Sequence, residues 1–378
     1  MYNKIGDKIK KERESAGLSQ KELAEKAGYN NYQTLLKIEK GDRNITIGDL
    51  GRISEALNLN MNYFLFEEEQ KEYHVLWREC KDIKACKIYE NRLKTYTDNY
   101  FHLRKLLDLH IDNFIPENVN DFIERYSDFL TDRYKLASEL AVDFRRSFNL
   151  GDYPADTLMN AIADKGILVF SFSMEDAGSA ASYVTPNGAS ILLNSKESPW
   201  RRFFDIGHEL YHILTWNLLD YTMHDYKLRD SDAEEHFANA FSANLLMPKS
   251  SIRKEIDSLS SIDQINESFI WRMAVKFKVS VDALMNRLEF LQIIDEKKKE
   301  AIKATCVKKD FWREYNKKNS KECCQKSKDE YDESYFTLVY SAWMSERITK
   351  MKMAEYLNKN IGEIDYYLKQ RGLAYEYK

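Results

Sequence analysis

Apolar residues recur at helical spacing through most of this chain and at strand spacing in only one window. "NKIGDKIKKERESAG" predicts a first amphipathic helix. In "LSQKELAEKAG", Ser19 and Glu22 match the reciprocal capping box that starts a helix, and Gly28 suits the turn that follows. "NYQTLLKIEKG" predicts a further helix stopped at Gly41. "TIGDLGRISEALNL" and "NMNYFLF" complete a compact helical unit over residues 1–66, and the acidic "FEEEQKE" marks its boundary.

Residues 67–134 are polar, aromatic-rich and helix-periodic, with "HVLWRECKDIKACKIYENRL" and "NYFHLRKLLDLHIDNF" as two long elements of a helical connector. "RYKLASELAVDFRRSFNLG" predicts another amphipathic helix, closed by Gly151. Then the period changes. "GILVFSF", "ASYVT" and "ASILLN" have strand character, and "PNG" at 186–188 joins the last two as a hairpin. A small sheet therefore precedes the next helix, within a domain drawn over residues 135–300. After Pro248 the pattern is helical again, and a charged stretch at 316–333 leads into a helical module placed at 301–378. The class expected is mostly α (α+β): an all-α N-terminal domain, a helical connector, a domain with a small sheet, and a C-terminal helical module.

Bulk properties narrow this only a little. At 378 residues, several domains are expected. No apolar run reaches the roughly 18 residues needed to cross a bilayer, and the N-terminus does not read as a signal peptide, so a cytoplasmic protein is expected. The five cysteines, Cys80, Cys86, Cys306, Cys323 and Cys324, lack metal-ligand spacing and read as free thiols. A net charge of −4 supplies no global attraction to nucleic acid, so any DNA contact must be local.

The chemistry concentrates in "RRFFDIGHELYHILTW", residues 201–216, which holds two of the seven histidines. Side chains four apart on a helix lie nearly above one another, so His208 and His212 can bind one ion from one face. Glu209 projects beside them, within reach of a water on that ion. This is the H-E-x-x-H pattern of zinc peptidases. Such a site needs a third protein ligand, and "DAEEHFANAFSANLLMP" offers it. Glu235 is preferred because Asn239, four residues on, can orient a ligand from behind; Glu234 would then be solvated. His236 is a conceivable ligand, with solvation the plainer use. Asp205, one turn before His208, is either a supporting partner of the ligands or an ordinary first-turn acid.

With one Zn2+ held there, Glu209 would take a proton from the attacking water and return it to the leaving nitrogen. His224, Tyr221 and Tyr226 are candidate oxyanion donors, with ordinary loop roles as the alternative. "ASILLN" either offers an edge to an extended substrate or is plain sheet core.

These segments resemble the ImmA/IrrE family of thermolysin-like zinc peptidases, in which H-E-x-x-H is followed by a glutamate three residues before an Ala-Asn or Ala-Asp pair and by Leu-Leu-Met-Pro. The resemblance extends over roughly residues 135–250. It implies a metalloendopeptidase that cleaves a partner transcriptional repressor. Two positions depart from the pattern: Tyr211 stands where Gly is usual, and Phe237 where an acid is common.

"LSQKELAEKAGYNNYQTLLKIEKGDRN" resembles the helix-turn-helix of XRE-type, Cro-like repressors. Leu23, Ala27, Leu35 and Ile38 fall at its buried positions and Ala24 where two helices touch. Gln33, Thr34 and Lys37 are expected to face bases, with Gln20, Asn31 and Arg43 on phosphates. Residues 1–65 carry 11 basic and 9 acidic side chains, so electrostatic attraction to DNA is modest. The combined expectation is a DNA-binding regulator fused to a zinc endopeptidase, with operator DNA and a repressor protein as partners, no membrane, and homodimerisation left open. The rival is a non-proteolytic transcription factor whose peptidase-like domain senses a ligand or holds structural zinc.

Overall fold

A computed structural model describes residues 2–57, 59, 61–65, 75–78, 80, 82–109, 125–126, 132–174, 177–185, 187–216, 231–305, 331 and 333–373. The chain divides into two compact units, one of residues 1–70, 81–112 and 329–378, the other of 71–80 and 113–328. It is mostly helical, with one small sheet.

In chain order the first helices are α1 (Tyr2–Ser15), α2 (Gln20–Lys26), α3 (Tyr32–Glu39), α4 (Ile47–Leu57) and α5 (Met61–Leu65). Strand β1 (Val75–Arg78) precedes the long α6 (Ile83–Leu106). There follow α7 (Arg133–Ser147), α8 (Leu158–Asp164), β2 (Leu168–Phe172), β3 (Ala180–Thr185), β4 (Gly188–Asn194), α9 (Pro199–Thr215) and α10 (Ser231–Leu246). Helices α11 (Lys249–Asp257), α12 (Glu267–Phe277), α13 (Val281–Phe290) and α14 (Glu296–Thr305) come next. Helices α15 (Glu333–Met344), α16 (Lys350–Tyr356) and α17 (Ile364–Gln370) close the described chain.

The first unit is built on the N-terminal helices. The capping box forms as expected: Ser19 Oγ accepts from Glu22 N at 3.2 Å, and Glu22 accepts from Ser19 N at 2.7 Å. Gly28 and Gly41 both sit at positive φ, the conformation a turn or helix stop demands. Leu23, Ala24, Ala27, Leu35 and Ile38 are all buried, with Ile9 and Ile53 beside them. Under this core Arg13 and Glu39 form a buried ion pair (Nε to Oε1 2.6 Å), which the Gln20 amide joins. Asn91 on α6 donates to Leu57 O, and Tyr96 on α6 meets Tyr335 of α15, so the connector helix and the C-terminal helices belong with this unit.

The second unit wraps a mixed sheet of order β1-β3-β4-β2, antiparallel except for the parallel β2–β4 pair. Helix α9 packs on β3 and β4, α10 packs on α9, and α7 packs on α10. The core runs from Leu136 and Phe144 through Ile191 and Leu210 to Phe241, Phe277 and Leu288.

Two expectations change and one alternative is decided. "VLWR", read as helical, is an edge strand: a short apolar run has no decisive period, and the open edge of β3 supplies hydrogen bonds that a helix would not use. "ASILLN" lies between β3 and β2, so it has no edge to offer an extended peptide and serves as sheet core. Cys80 and Cys86, read as free thiols, are disulfide-bonded; they are near neighbours in the chain, which a count of cysteines does not weigh. Cys306, Cys323 and Cys324 lie outside the described residues, as do His224, Tyr221 and Tyr226.

Candidate metal centre

Pro199 begins α9, where a missing N–H costs nothing. From Ile206 to Thr215 every residue of the helix is buried, because sheet and α10 enclose it from two sides. Gly207 permits that enclosure. A Cβ there would stand 2.6 Å from Ser242 Oγ and 3.2 Å from Ser242 Cα, so only glycine lets α10 come so near. Ser242 in turn donates to Phe204 O at 2.8 Å.

This crossing brings His208, His212 and Glu235 together. One donor atom from each lies within 4.8 Å of the others, the one such group of three found among the described residues. His208 Nε2 is 3.1 Å from Glu235 Oε2, His212 Nε2 is 3.4 Å from Glu235 Oε1, and the two Nε2 atoms are 3.2 Å apart. Behind them, His208 Nδ1 is 3.0 Å from Asn239 Oδ1. An amide oxygen only accepts, so this nitrogen carries the proton and Nε2 presents its lone pair to Glu235.

The electrostatics fit a cation at this point. Burial is the main cause holding the His208 pKa down to about 4, so the ring is neutral at ordinary pH. Burial would raise Glu235, but its close contacts with His208 and His212 outweigh it and hold this carboxyl well below its usual range. A neutral lone pair facing a carboxylate at 3.1 Å is repulsive unless a positive charge lies between them. Two imidazoles and one carboxylate are also a donor set that catalytic zinc takes, with a position left open. Glu209 is buried and neither of its oxygens makes a hydrogen bond of normal geometry. Desolvation pushes its pKa up to about 7, and Ser182 and His212 act against that rise. Such a group is poised to exchange a proton near neutrality.

The surrounding acids are placed differently from a simple reading of the helix. Asp205, fully buried, pairs with the Arg78 guanidinium, whose other nitrogen donates to Asn239 Oδ1 at 3.1 Å. Glu234, expected in solvent, is held by Arg133 at 2.9 Å. Arg133 also donates to the Tyr211 hydroxyl at 2.6 Å. Tyr211 thus points its hydroxyl into this polar pair and packs its ring near Phe241, and Phe237 lies under the Arg133 guanidinium. His236 is exposed. Neither Arg78 nor Arg133 belongs to a sequence motif of the site. Arg78 is 127 residues from its partner Asp205, and no local spacing signals such a contact.

In the first unit, Gln33, Lys37 and Arg43 are exposed, and Thr34 is half-buried beside Gln33 at the start of α3. Asn31 uses its Oδ1 to cap α3 through Gln33 N, and Gln20 bonds Glu39, so both have structural duties as well as any contact to phosphate.

A helix-turn-helix unit and a domain with a buried H-E-x-x-H helix define a regulator joined to a metallopeptidase-like domain. Comparison with known families agrees. Residues 162–289 match the peptidase M78 family model, described as IrrE N-terminal-like domain, and residues 9–64 match a helix-turn-helix family model. These two regions are therefore similar to the ImmA/IrrE metallopeptidase-like domain and to an N-terminal helix-turn-helix of XRE type. No curated protein matches the chain. Among the described residues no helix is long and apolar enough to cross a membrane.

Proposed function

We propose that this chain is a DNA-binding regulator whose second unit is a zinc-dependent endopeptidase that cleaves a partner transcriptional repressor. The observation that carries the reading is the convergence of His208, His212 and Glu235 around one point, with the unpaired Glu209 carboxyl beside it. A merely structural metal site needs no such carboxyl, and burying one without partners is unfavourable.

His208, His212 and Glu235 would hold one Zn2+, which when bound polarises the scissile carbonyl and makes water a stronger nucleophile at neutral pH. Glu209 accepts the proton of the attacking water on its carboxylate and gives it to the departing amide nitrogen. Its pKa near 7 serves both transfers, since neither protonation state is remote. Asn239 orients His208, and the burial of His208, Glu209 and His212 keeps competing water from their side of the site. Glu235, with its side chain 35% exposed, marks the open side from which a peptide would approach. The first unit would place this activity at operator DNA through Gln33, Thr34 and Lys37, with Gln20, Asn31 and Arg43 on phosphates.

The decisive experiment co-expresses wild type or Glu209→Gln with repressor proteins encoded nearby and follows their length by immunoblot. Shortening of one repressor by wild type and not by the variant is expected. Cleavage by both would remove Glu209 from the chemistry.

A further inference from the structure

We propose that Arg78 is a positioning residue of the metal centre: it fixes the Asn239 amide so that His208 keeps its proton on Nδ1 and its lone pair on Nε2. This rests on reading His208, His212 and Glu235 as a metal site, and it adds a residue that lies outside the matched peptidase region.

A guanidinium has five N–H groups and nothing that accepts. Asn239 can turn either its oxygen or its NH2 toward His208, and the two ends differ little in size. Arg78 Nη2 lies 3.1 Å from the Asn239 end atom, so that atom must be Oδ1; an NH2 there would oppose the guanidinium donor. The same oxygen is 3.0 Å from His208 Nδ1, which must therefore donate. Nε2 is left as the acceptor facing Glu235 and His212. Without Arg78 the amide is free to turn, its NH2 can donate to Nδ1, and the proton moves to Nε2, where it blocks a metal.

Arg78 is itself held. Its Nη1 bonds Asp205, which is fully buried one turn before His208, and its guanidinium lies 5.7 Å from the Phe204 ring. Strand β1 delivers it in a set register, Leu76 opposite Ser182 and Arg78 opposite Ala180, with Leu76 buried in the core of the unit. Both hydrogen-bonded nitrogens of the planar fork are used, one on each of the two helices α9 and α10. A lysine has one nitrogen at the end of a flexible stem and cannot reproduce that span. The segment that supplies it, residues 71–80, lies in the chain between two parts of the first unit, 1–70 and 81–112.

The test uses the whole chain as wild type, Arg78→Ala, Arg78→Lys, Asn239→Ala, and Arg78→Lys combined with Asn239→Ala. Each is stripped of metal, and Zn2+ affinity is measured by competition with a chromophoric chelator. Nitrogen NMR of the histidine rings reports the His208 tautomer in the metal-free proteins. Arg78→Ala should lose about 10–100-fold in Zn2+ affinity, the range for removing a group that supports a ligand. Arg78→Lys keeps a cation beside Asp205, so it guards against simple unfolding. It should still move His208 from the Nδ1–H toward the Nε2–H form, and in the Asn239→Ala background it should cost nothing further. Unchanged affinity in both arginine variants overturns the proposal. So does a loss of affinity with His208 still protonated on Nδ1, or a loss that persists undiminished when Asn239 is already alanine. If wild type binds no Zn2+, the metal-site reading fails, and the tautomer comparison still decides whether Arg78 governs His208.

Discussion

Gly207 and Ser242 meet where α9 crosses α10, so closely that a Cβ on Gly207 would stand 2.6 Å from the serine Oγ. Glu235 lies on the same helix as Ser242, two turns earlier, so the closeness of this crossing governs how far its carboxylate reaches toward the histidines. Gly207→Ala is expected to destabilise the protein by about 1–3 kcal/mol, the usual effect of overpacking. It should also weaken Zn2+ binding, because α10 must retreat with its ligand. Ser242→Gly in the same chain should recover part of both losses, since the obstructing side chain is gone. Urea unfolding and chelator competition measure the two effects.

The three proposed ligands and the proposed base should separate cleanly by assay. His208→Ala and Glu235→Gln are expected to lower bound zinc, read by elemental analysis, together with any cleavage. Glu209→Gln should retain the metal while cleavage falls about 10²–10⁴-fold, the range for removing a general base. A Glu209→Gln protein that loses its zinc would place this carboxyl among the ligands instead.

A pH-dependent prediction belongs to the first unit. Asp49 Oδ2 accepts from Thr46 N at 3.2 Å and from Thr46 Oγ at 2.8 Å, while Asp49 N donates back to that hydroxyl, a reciprocal cap at the start of α4. Burial would raise this carboxyl, but the bonds from Thr46 and Tyr29 outweigh it and hold its pKa below the ordinary value. A depressed carboxyl stabilises the fold above the unfolded pKa, about 3.9, and that stabilisation is lost as pH falls through the folded one. Asp49→Ala is therefore expected to cost about 1–3 kcal/mol at pH 7. The difference from wild type should stay level down to about pH 5 and shrink below about 4. Denaturant titrations at several pH values check the shape, and a gap that widens in acid would contradict it.

For α3, proposed to face DNA, Gln33→Ala together with Lys37→Ala is expected to abolish preference for the operator over random DNA. Lys37→Ala by itself should reduce the salt slope of binding by about 1 if it meets a phosphate, and leave the slope unchanged if it meets a base. Fluorescence anisotropy across a salt series distinguishes these outcomes.

Much of this molecule is local and was readable. Ser19 with Glu22, Gly28, Gly41, and the pairing of β3 with β4 each depend on neighbours in the chain, where backbone conformation and short-range hydrogen bonds dominate. His208 and His212 share a face because any α-helix places residues four apart together. Glu235 could be named because α10 has its own helical period, with Phe241 and Leu245 buried and Asn239 four residues on.

Other features depend on which surfaces meet, and no window of sequence contains both sides. Strand β1 exists because the free edge of β3 accepts it, so "VLWR" could not be assigned from its own residues. Glu234 reads as solvated in sequence because Arg133, its partner, is 101 residues away on α7. Arg78 was invisible as a site residue for the same reason: its two acceptors, Asp205 and Asn239, come together only when α9 and α10 cross. Helical and turn geometry decided which side chains could act together along one element. Packing between elements decided their protonation, their partners and the convergence of His208, His212 and Glu235, because burial and long-range contacts are created only by folding.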